Sequence, residues 1–598
     1  NNNYLDVIQK SLSNYLGSKR EDFPRFYFLS DEELLEILSK AKDPTLVTKY
    51  MKKCFEAIEY IDFNQNLEVL NMKSAEKEVV EFLRPVVTNQ GDRKGRVEKW
   101  LNDVESMMKD TLKKLSANCA KDETERTKWV FKWPGQIVLA VNNVRWTAST
   151  EQAIKDGTIR QHTSNLVRER EDIVNLVKGE LTPLQRTTLG ALIVIDQHAI
   201  YVVEMLHANG IDNKHDFDWI SQLRYYLDHT APRDKDRIKV EMITSSLNYQ
   251  YEYLGNSDRL VITPLTDRCY RTLMGAFQYN YGGAPEGPAG TGKTETVKDL
   301  AKAIAVQCVV FNCSDQINYV AMSKFFKGLS QCGSWCCFDE FNRIEPEVLS
   351  VIAEQVRTIQ TAIKEGRNRF FFDGMDIRLT PSAFTCITMN PGYAGRSELP
   401  DNLKALFRPC AMMVPDYSLI SEIVLFSYGY QTATSLAKKI VASLRLSSEQ
   451  LSTQKHYDFG MRALKAILVA AGNLKKKNPN EDEDRLCIRA LFDVNLPKFT
   501  QNDIPLFDSI TSDLFTDIKP PQTDYSLLIA KMKEQCHSKG LLPEPVILKK
   551  CIETYETLLV RHGLMLVGHT CSAKTTVFKL LRDSLTALNG VLDYKTTK

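Results

Sequence analysis

The feature that most constrains this chain is the run Gly287-Pro288-Ala289-Gly290-Thr291-Gly292-Lys293-Thr294, which satisfies G-x-x-x-x-G-K-[ST] in full. Such a run works only between a strand and a helix, so it commits this part of the chain to an α/β fold with a parallel sheet. Its glycines let the backbone curl until successive N–H groups and the following helix N-terminus face an anion. Lys293 is then expected to reach the β- and γ-phosphates of a nucleotide, and the Thr294 hydroxyl to coordinate Mg²⁺. One local feature runs against this. The preceding Tyr279-Asn280-Tyr281-Gly282-Gly283 has poor strand propensity.

Phosphoryl transfer to water also needs one carboxylate for the metal shell and another to activate the nucleophile. Cys336-Cys337-Phe338-Asp339-Glu340 offers both at the end of an apolar run. Asp339 is the candidate metal carboxylate and Glu340 the candidate base. The 46 residues from Lys293 to Asp339 leave room for the helix, strand and helix that this topology requires. A further apolar run, Phe384 to Thr388, leads into Met389-Asn390-Pro391-Gly392. At such a strand tip Asn390 can hydrogen-bond a γ-phosphate and the attacking water, the role called sensor 1; without the upstream motifs it would read as a turn former.

Around this centre the texture changes twice. The first 250 residues read mostly as helix: Ser30-Asp31-Glu32-Glu33 is a capping-box pattern, and apolar periodicity runs through Leu46 to Ile61 and Val97 to Leu115. Trp133-Pro134-Gly135 interrupts it before the apolar stretch Ile137 to Val144. From about Leu260 strands and helices alternate, with short apolar runs at Val309 to Phe311, Trp335 to Phe338 and Phe384 to Thr388. After Val424 the pattern turns helical again through Ala433 to Leu444 and Gly460 to Ala471, and Lys475-Lys476-Lys477 with Glu481 to Asp484 reads as an exposed polar loop. A second phosphate-loop-like run, Gly568-His569-Thr570-Cys571-Ser572-Ala573-Lys574-Thr575, follows the apolar Leu564 to Val567. Ala573 stands there at a glycine position and adds a Cβ where backbone would approach phosphate, which argues against tight binding.

Composition sets the outer limits. A length of 598 residues suits about two to four domains. Lys plus Arg number 77 against 75 Asp plus Glu, so whole-chain charge gives no reason to expect nucleic acid or a membrane as partner. The 14 cysteines lack zinc-site spacing and read as reduced core thiols of a cytosolic protein. The apolar stretch Leu189 to Leu206 is broken by Asp196, Gln197 and His198, so it reads as a buried helix. No initiator Met opens the chain, no signal peptide is evident, and the sequence stops soon after the second loop. It reads as an excerpt of something longer.

Several longer runs resemble the dynein heavy chain family across essentially the whole chain: Val261 to Tyr270, Gly282 to Lys298, Phe338 to Ile344 and Ile387 to Asp401. Phe23 to Ser30 and Trp133-Pro134-Gly135-Gln136 resemble the linker that precedes that family's motor ring. The wording around Glu286, and Tyr393 to Pro400, is similar to axonemal dyneins, of inner-arm type.

The resemblance implies a helical linker over 1–255 and a first AAA+ module with its large α/β subdomain at 256–430 and helical lid at 431–495. The start of a second module follows at 496–598. It implies ATP or ADP with Mg²⁺ as cofactors, Ile262 beside the adenine, Asn312 as the switch that gates Glu340, and Arg462 in the lid as sensor 2. Arg408 falls where an arginine finger would serve a neighbouring module's nucleotide; a surface ion pair is the alternative role for both arginines. Gly568, Lys574 and Thr575 belong to a second site that in this family binds ATP without hydrolysing it.

The function implied is a motor fragment whose ATP hydrolysis swings the linker and drives minus-end-directed movement on microtubules in cilia or flagella. Its implied partners are the remaining modules of the ring, microtubules through a stalk outside this chain, and intermediate and light chains through a tail outside it. The isolated piece is expected to hydrolyse ATP weakly, because the arginine completing the Lys293 site would come from the second module. The alternative is an AAA+ remodelling or scaffold protein with no track.

Overall fold

Ser30 opens the helix Asp31–Ser39 with a complete capping box: Glu33 N donates to Ser30 Oγ at 3.2 Å, and Ser30 N to Glu33 Oε2 at 3.1 Å. The computed structural model describes residues 2–228, 237–391, 398–516, 525–560 and 563–588, so the run from Tyr393 to Ser397 lies outside the described residues. The chain divides into two compact units, Asn1–Pro415 and Asp416–Lys598.

The first unit begins with long helices, Val97–Ala120, Gly135–Asp156, Ile159–Val177 and Pro183–Ala208. Pro183–Ala208 is long and apolar enough to cross a membrane, yet 67% of its apolar stretch is buried within the protein. Asp196 there forms an ion pair with Arg126 (2.6 Å), so this is a core helix.

The first 250 residues are mostly helix, as expected. Two three-stranded antiparallel sheets interrupt it: β1 (Tyr60–Phe63), β2 (Glu68–Lys73) and β3 (Val79–Val87), then β4 (Arg224–Asp228), β5 (Arg237–Met242) and β6 (Ser245–Asn248). The periodic stretch Leu46 to Ile61 forms only single turns before β1. Phe55 leaves the helix for extended backbone (φ −121°, ψ 148°), where it and Ile58 are buried in the core. Tertiary burial outweighs the helical period there.

Short aromatic and charged contacts join this region to the α/β part of the same unit. Phe28 packs on Phe325 with ring centroids 5.2 Å apart, and Lys324 pairs with Asp31 at 2.7 Å.

The α/β part is built on a five-stranded parallel sheet of β7 (Gly282–Glu286), β8 (Cys308–Asn312), β9 (Trp335–Asp339), β12 (Phe384–Ile387) and β13 (Phe407–Ala411). A hairpin of β10 (Arg369–Phe372) and β11 (Met375–Arg378) precedes β12. The sheet order is β13-β7-β12-β9-β8, which sets β7, β12 and β9 side by side.

The poor strand propensity of Gly282-Gly283 does not prevent β7, because close packing needs the glycines. A Cβ on Gly282 would lie 2.3 Å from Phe407 Cδ1, and one on Gly283 2.4 Å from Leu273 Cδ2. Pro285 has no N–H, but its carbonyl accepts from Met389 N at 3.2 Å.

The second unit is helical among its described residues. Tyr417–Ser427, Ala433–Gln450, Met461–Lys477 and Glu483–Asn495 close on a core that includes Leu436, Ile440, Leu464 and Leu491. Lys475 to Lys477 finish the helix Met461–Lys477 instead of lying in a loop, and Lys475 pairs with Glu483 at 3.0 Å. Leu564 to Val567 form no strand, and Met565 and Val567 are exposed. A strand gains its stability from neighbours, and none pairs with this run among the described residues.

Candidate nucleotide-binding site

The loop from Gly287 to Gly292 runs from the tip of β7 into the helix Lys293–Ile304, as the motif requires. Gly287 cannot carry a side chain, since a Cβ would sit 2.2 Å from Met412 O. Gly292 caps the helix in the left-handed region (φ 81°). Lys293 Nζ donates to Gly287 O (2.9 Å) and Pro288 O (2.7 Å), so its ammonium already lies over the loop that would hold phosphate.

The tips of β9 and β12 bring the carboxylates to this helix. Thr294 Oγ1 donates to Asp339 Oδ1 at 2.7 Å, and Thr388 Oγ1 donates to the same oxygen at 2.5 Å. Glu340 follows in the left-handed region (φ 55°), and its N–H donates to Thr388 Oγ1 at 3.1 Å. Asn390 Nδ2 donates to Glu340 Oε1 at 3.5 Å, and Arg343 Nε lies 2.5 Å from Glu340 Oε2. Asn390 is buried, and its Oδ1 has no hydrogen-bond partner among the described residues. A buried acceptor of this kind is costly unless a further group serves it. Together with the Thr294–Asp339 pair, it shows that the residues present fit a nucleotide, a cation and an attacking water.

The other expected residues are placed as follows. Asn312 ends β8 opposite Asp339 in the parallel register and is exposed. Ile262 is half-buried against the cluster that contains Cys269 and Tyr270. Arg408 is exposed on the edge strand β13, in register with Gly283, and so stands apart from the group around Asp339. Arg462, also exposed, is in the first turn of Met461–Lys477 in the second unit.

The second loop repeats one feature of the first: Lys574 Nζ donates to Gly568 O (2.9 Å) and His569 O (2.6 Å). Thr575 follows it, exposed, in the helix Lys574–Ala587. Ala573 occupies the left-handed cap (φ 59°) that Gly292 fills in the first loop.

Three residues around the site escaped the sequence reading. Thr388 lies two positions before Asn390, and i, i+2 neighbours on an extended strand tip share a side; that spacing could have flagged it. Arg343 follows Glu340 at i+3 on the 3₁₀ turn Phe341–Arg343, where such side chains eclipse. Asp299, on the helix that starts at Lys293, takes Arg259 through two bonds (2.8 and 3.0 Å), Leu260 N (3.0 Å) and the Tyr270 hydroxyl (2.6 Å). It ties the segment leading to Ile262 onto the phosphate-loop helix. Nothing in the local pattern marks a buried fork of this kind.

The cysteines are free thiols. Only Cys571 is exposed, and burial pushes Cys54, Cys313 and Cys336 up to about 12. No group of three or more His, Cys, Asp or Glu side chains that could hold a metal ion occurs among the described residues.

Comparison with known proteins bears on this geometry directly. The family described as the hydrolytic ATP binding site of the dynein motor region matches residues 249–575, and dynein heavy chain N-terminal region 2 matches residues 1–119. The chain belongs to the dynein heavy chain family. It is 54% identical over 592 residues to dynein axonemal heavy chain 12 of Mus musculus, covering 98% of this chain and 19% of that protein. It is 52% identical over 592 residues to dynein axonemal heavy chain 1 of Homo sapiens, and 53% identical over 588 residues to dynein axonemal heavy chain 3 of Mus musculus. In each of these two cases 98% of this chain and 14% of the relative are covered. This dynein chain therefore spans less than a fifth of the length of these relatives.

Proposed function

We propose that the module around Lys293 binds and hydrolyses Mg-ATP, and that in the whole heavy chain this turnover drives a lever and movement along microtubules of the axoneme. The observation that carries the reading is the contact between Thr294 and Asp339 (2.7 Å) beside Glu340 and the buried Asn390 Oδ1, which has no partner among the described residues. Bound Mg-ATP supplies a phosphoanhydride and the cation that offsets its charge.

The residues divide the remaining work. Lys293 exchanges the carbonyls of Gly287 and Pro288 for phosphate oxygens, and the loop N–H groups complete the cradle. Thr294 and Asp339 would hold the cation, whose charge would offset that of the phosphates. Asn390 Oδ1 accepts from the attacking water, and Glu340 takes that water's proton as its oxygen bonds to phosphorus and the bond to the ADP oxygen breaks.

The axonemal names of the relatives support a place in the cytoskeleton of the cilium or flagellum. Ile262 at the base, Asn312 as switch, Arg408 as a finger for a neighbouring module, Arg462 as sensor 2 and the loop at Gly568, Lys574 and Thr575 as a second nucleotide site all belong to this proposal. So do the further AAA+ modules, the microtubule-binding stalk and the intermediate and light chains as partners. Calorimetric titration of Mg-ATP into the wild-type chain and Lys293→Ala tests the core of it. Binding that survives Lys293→Ala undiminished would remove this loop from the site.

A further inference from the structure

We propose that Thr388 is a positioning residue of the hydrolytic site, one hydroxyl that fixes both the metal carboxylate and the backbone of the base. This rests on the reading of Asp339 and Glu340 given above. The hydroxyl has one proton, given to Asp339 Oδ1 at 2.5 Å, and its lone pair takes the Glu340 N–H at 3.1 Å. At 1% exposure Thr388 keeps water from competing for either bond. Its own backbone is tied to both sides of the acidic pair: Thr388 N donates to Phe338 O (2.9 Å), and Phe341 N donates to Thr388 O (3.0 Å).

Two consequences follow from those bonds. Thr388 and Thr294 converge on Oδ1 of Asp339. The carboxylate is thereby held in one rotation, with Oδ2 free of side-chain hydrogen bonds among the described residues. Glu340, in turn, sits in the left-handed region (φ 55°), which an L-residue holds only when its surroundings over-determine it. The bond from its N–H to Thr388 Oγ1 is part of that determination. A single buried hydroxyl thus sets the spacing between metal carboxylate and base.

The test uses the intact heavy chain. Thr388→Val removes both hydrogen bonds at nearly constant volume, and Thr388→Ser keeps them. Hydrogen bonds to charged groups contribute enough that Thr388→Val is expected to lower kcat by about 10- to 100-fold. The Mg²⁺ concentration for half-maximal turnover should rise, while metal-free ATP binding stays unchanged. Thr388→Ser should remain within about threefold of wild type, on the same conversion of energy to rate. If Thr388→Val fails to fold by a nucleotide-free melt, Thr388→Ala takes its place with the same expected outcomes. Unchanged kcat and metal dependence in the folded variant would overturn the proposal, as would a Thr388→Ser variant as impaired as Thr388→Val. Lys293→Ala, run in parallel, keeps the two readings apart: ATP binding retained in that variant defeats the site assignment itself, whereas its loss alongside an unaffected Thr388→Val defeats only the role of Thr388.

Discussion

The Arg343 guanidinium holds the Glu340 carboxylate, with Nε 2.5 Å from Oε2. The bridge occupies Oε2 of the candidate base and so competes with contact between that oxygen and the attacking water. The two side chains are 48% and 30% exposed, which limits such a bridge to about 1 kcal/mol or less. Arg343→Ala is therefore expected to raise microtubule-free ATP turnover of the intact motor by up to about fivefold, with ATP affinity unchanged. Steady-state turnover without microtubules measures it. A fall in turnover would show that Arg343 assists the reaction.

The two carboxylates should separate binding from chemistry. Glu340→Gln preserves the shape of the site but cannot accept the proton, so hydrolysis should fall by about 10²- to 10⁴-fold while Mg-ATP still binds. Asp339→Asn should instead weaken the metal-dependent part of binding, since the charge facing the cation is lost. Single-turnover hydrolysis with a parallel fluorescent-nucleotide titration reads both. Wild-type turnover in Glu340→Gln would place the base elsewhere.

The parts of this site that were legible in the sequence share one property: their spacing is fixed by backbone geometry. The loop Gly287 to Thr294, the pair Asp339-Glu340 and Asn390 all stand at tips of neighbouring parallel strands, where strand–helix alternation dictates the order. Thr388, Arg343 and Asp299 went unread because their roles come from side-chain contacts across 3 to 49 residues of chain, and only Thr388 carries a local signal, its spacing from Asn390. The fold shows the same division. Long periodic helices such as Val97–Ala120 were readable, whereas β7 forms from a glycine pair that only the packing of Phe407 and Leu273 explains. The helix read over Leu46 to Ile61 failed for the converse reason, since burial of Phe55 decided the backbone there.

Asp299 supplies a stability test. Burial pushes its carboxyl up, but the Arg259 guanidinium, the Leu260 N–H and the Tyr270 hydroxyl outweigh that and leave it lowered. A carboxyl lowered in the folded state contributes stability above its unfolded pKa and loses it as pH falls through the folded value. Asp299→Asn leaves the buried Arg259 charge unpaired and should cost about 3 to 5 kcal/mol at neutral pH. The difference from wild type should shrink toward acid pH. Thermal melts of both proteins between pH 7 and pH 3 would check this, and parallel losses at every pH would remove the charge from the explanation.

The second loop offers a chemical readout of its own. Cys571 lies within Gly568 to Thr575 and is the one exposed thiol, whereas burial raises Cys308 and Cys332, the two half-buried ones. Thiolate fraction and access together govern alkylation, so a maleimide should modify Cys571 first. A nucleotide seated in that loop would cover it, and Mg-ATP should then slow its modification. Ala573 opposes such binding, because its Cβ stands where the first loop presents Gly292, and its φ of 59° is a left-handed conformation unfavourable for an L-residue by about 1 to 2 kcal/mol. Ala573→Gly removes the Cβ and the strain together, offset in part by about 0.4 to 1 kcal/mol of added freedom in the unfolded chain. Protection of Cys571 by Mg-ATP should accordingly strengthen several-fold in Ala573→Gly, and mass spectrometry of the modified peptide measures it at each ATP concentration. Labelling of Cys571 that is indifferent to Mg-ATP in both proteins would mean that this loop holds no nucleotide, with or without the methyl group.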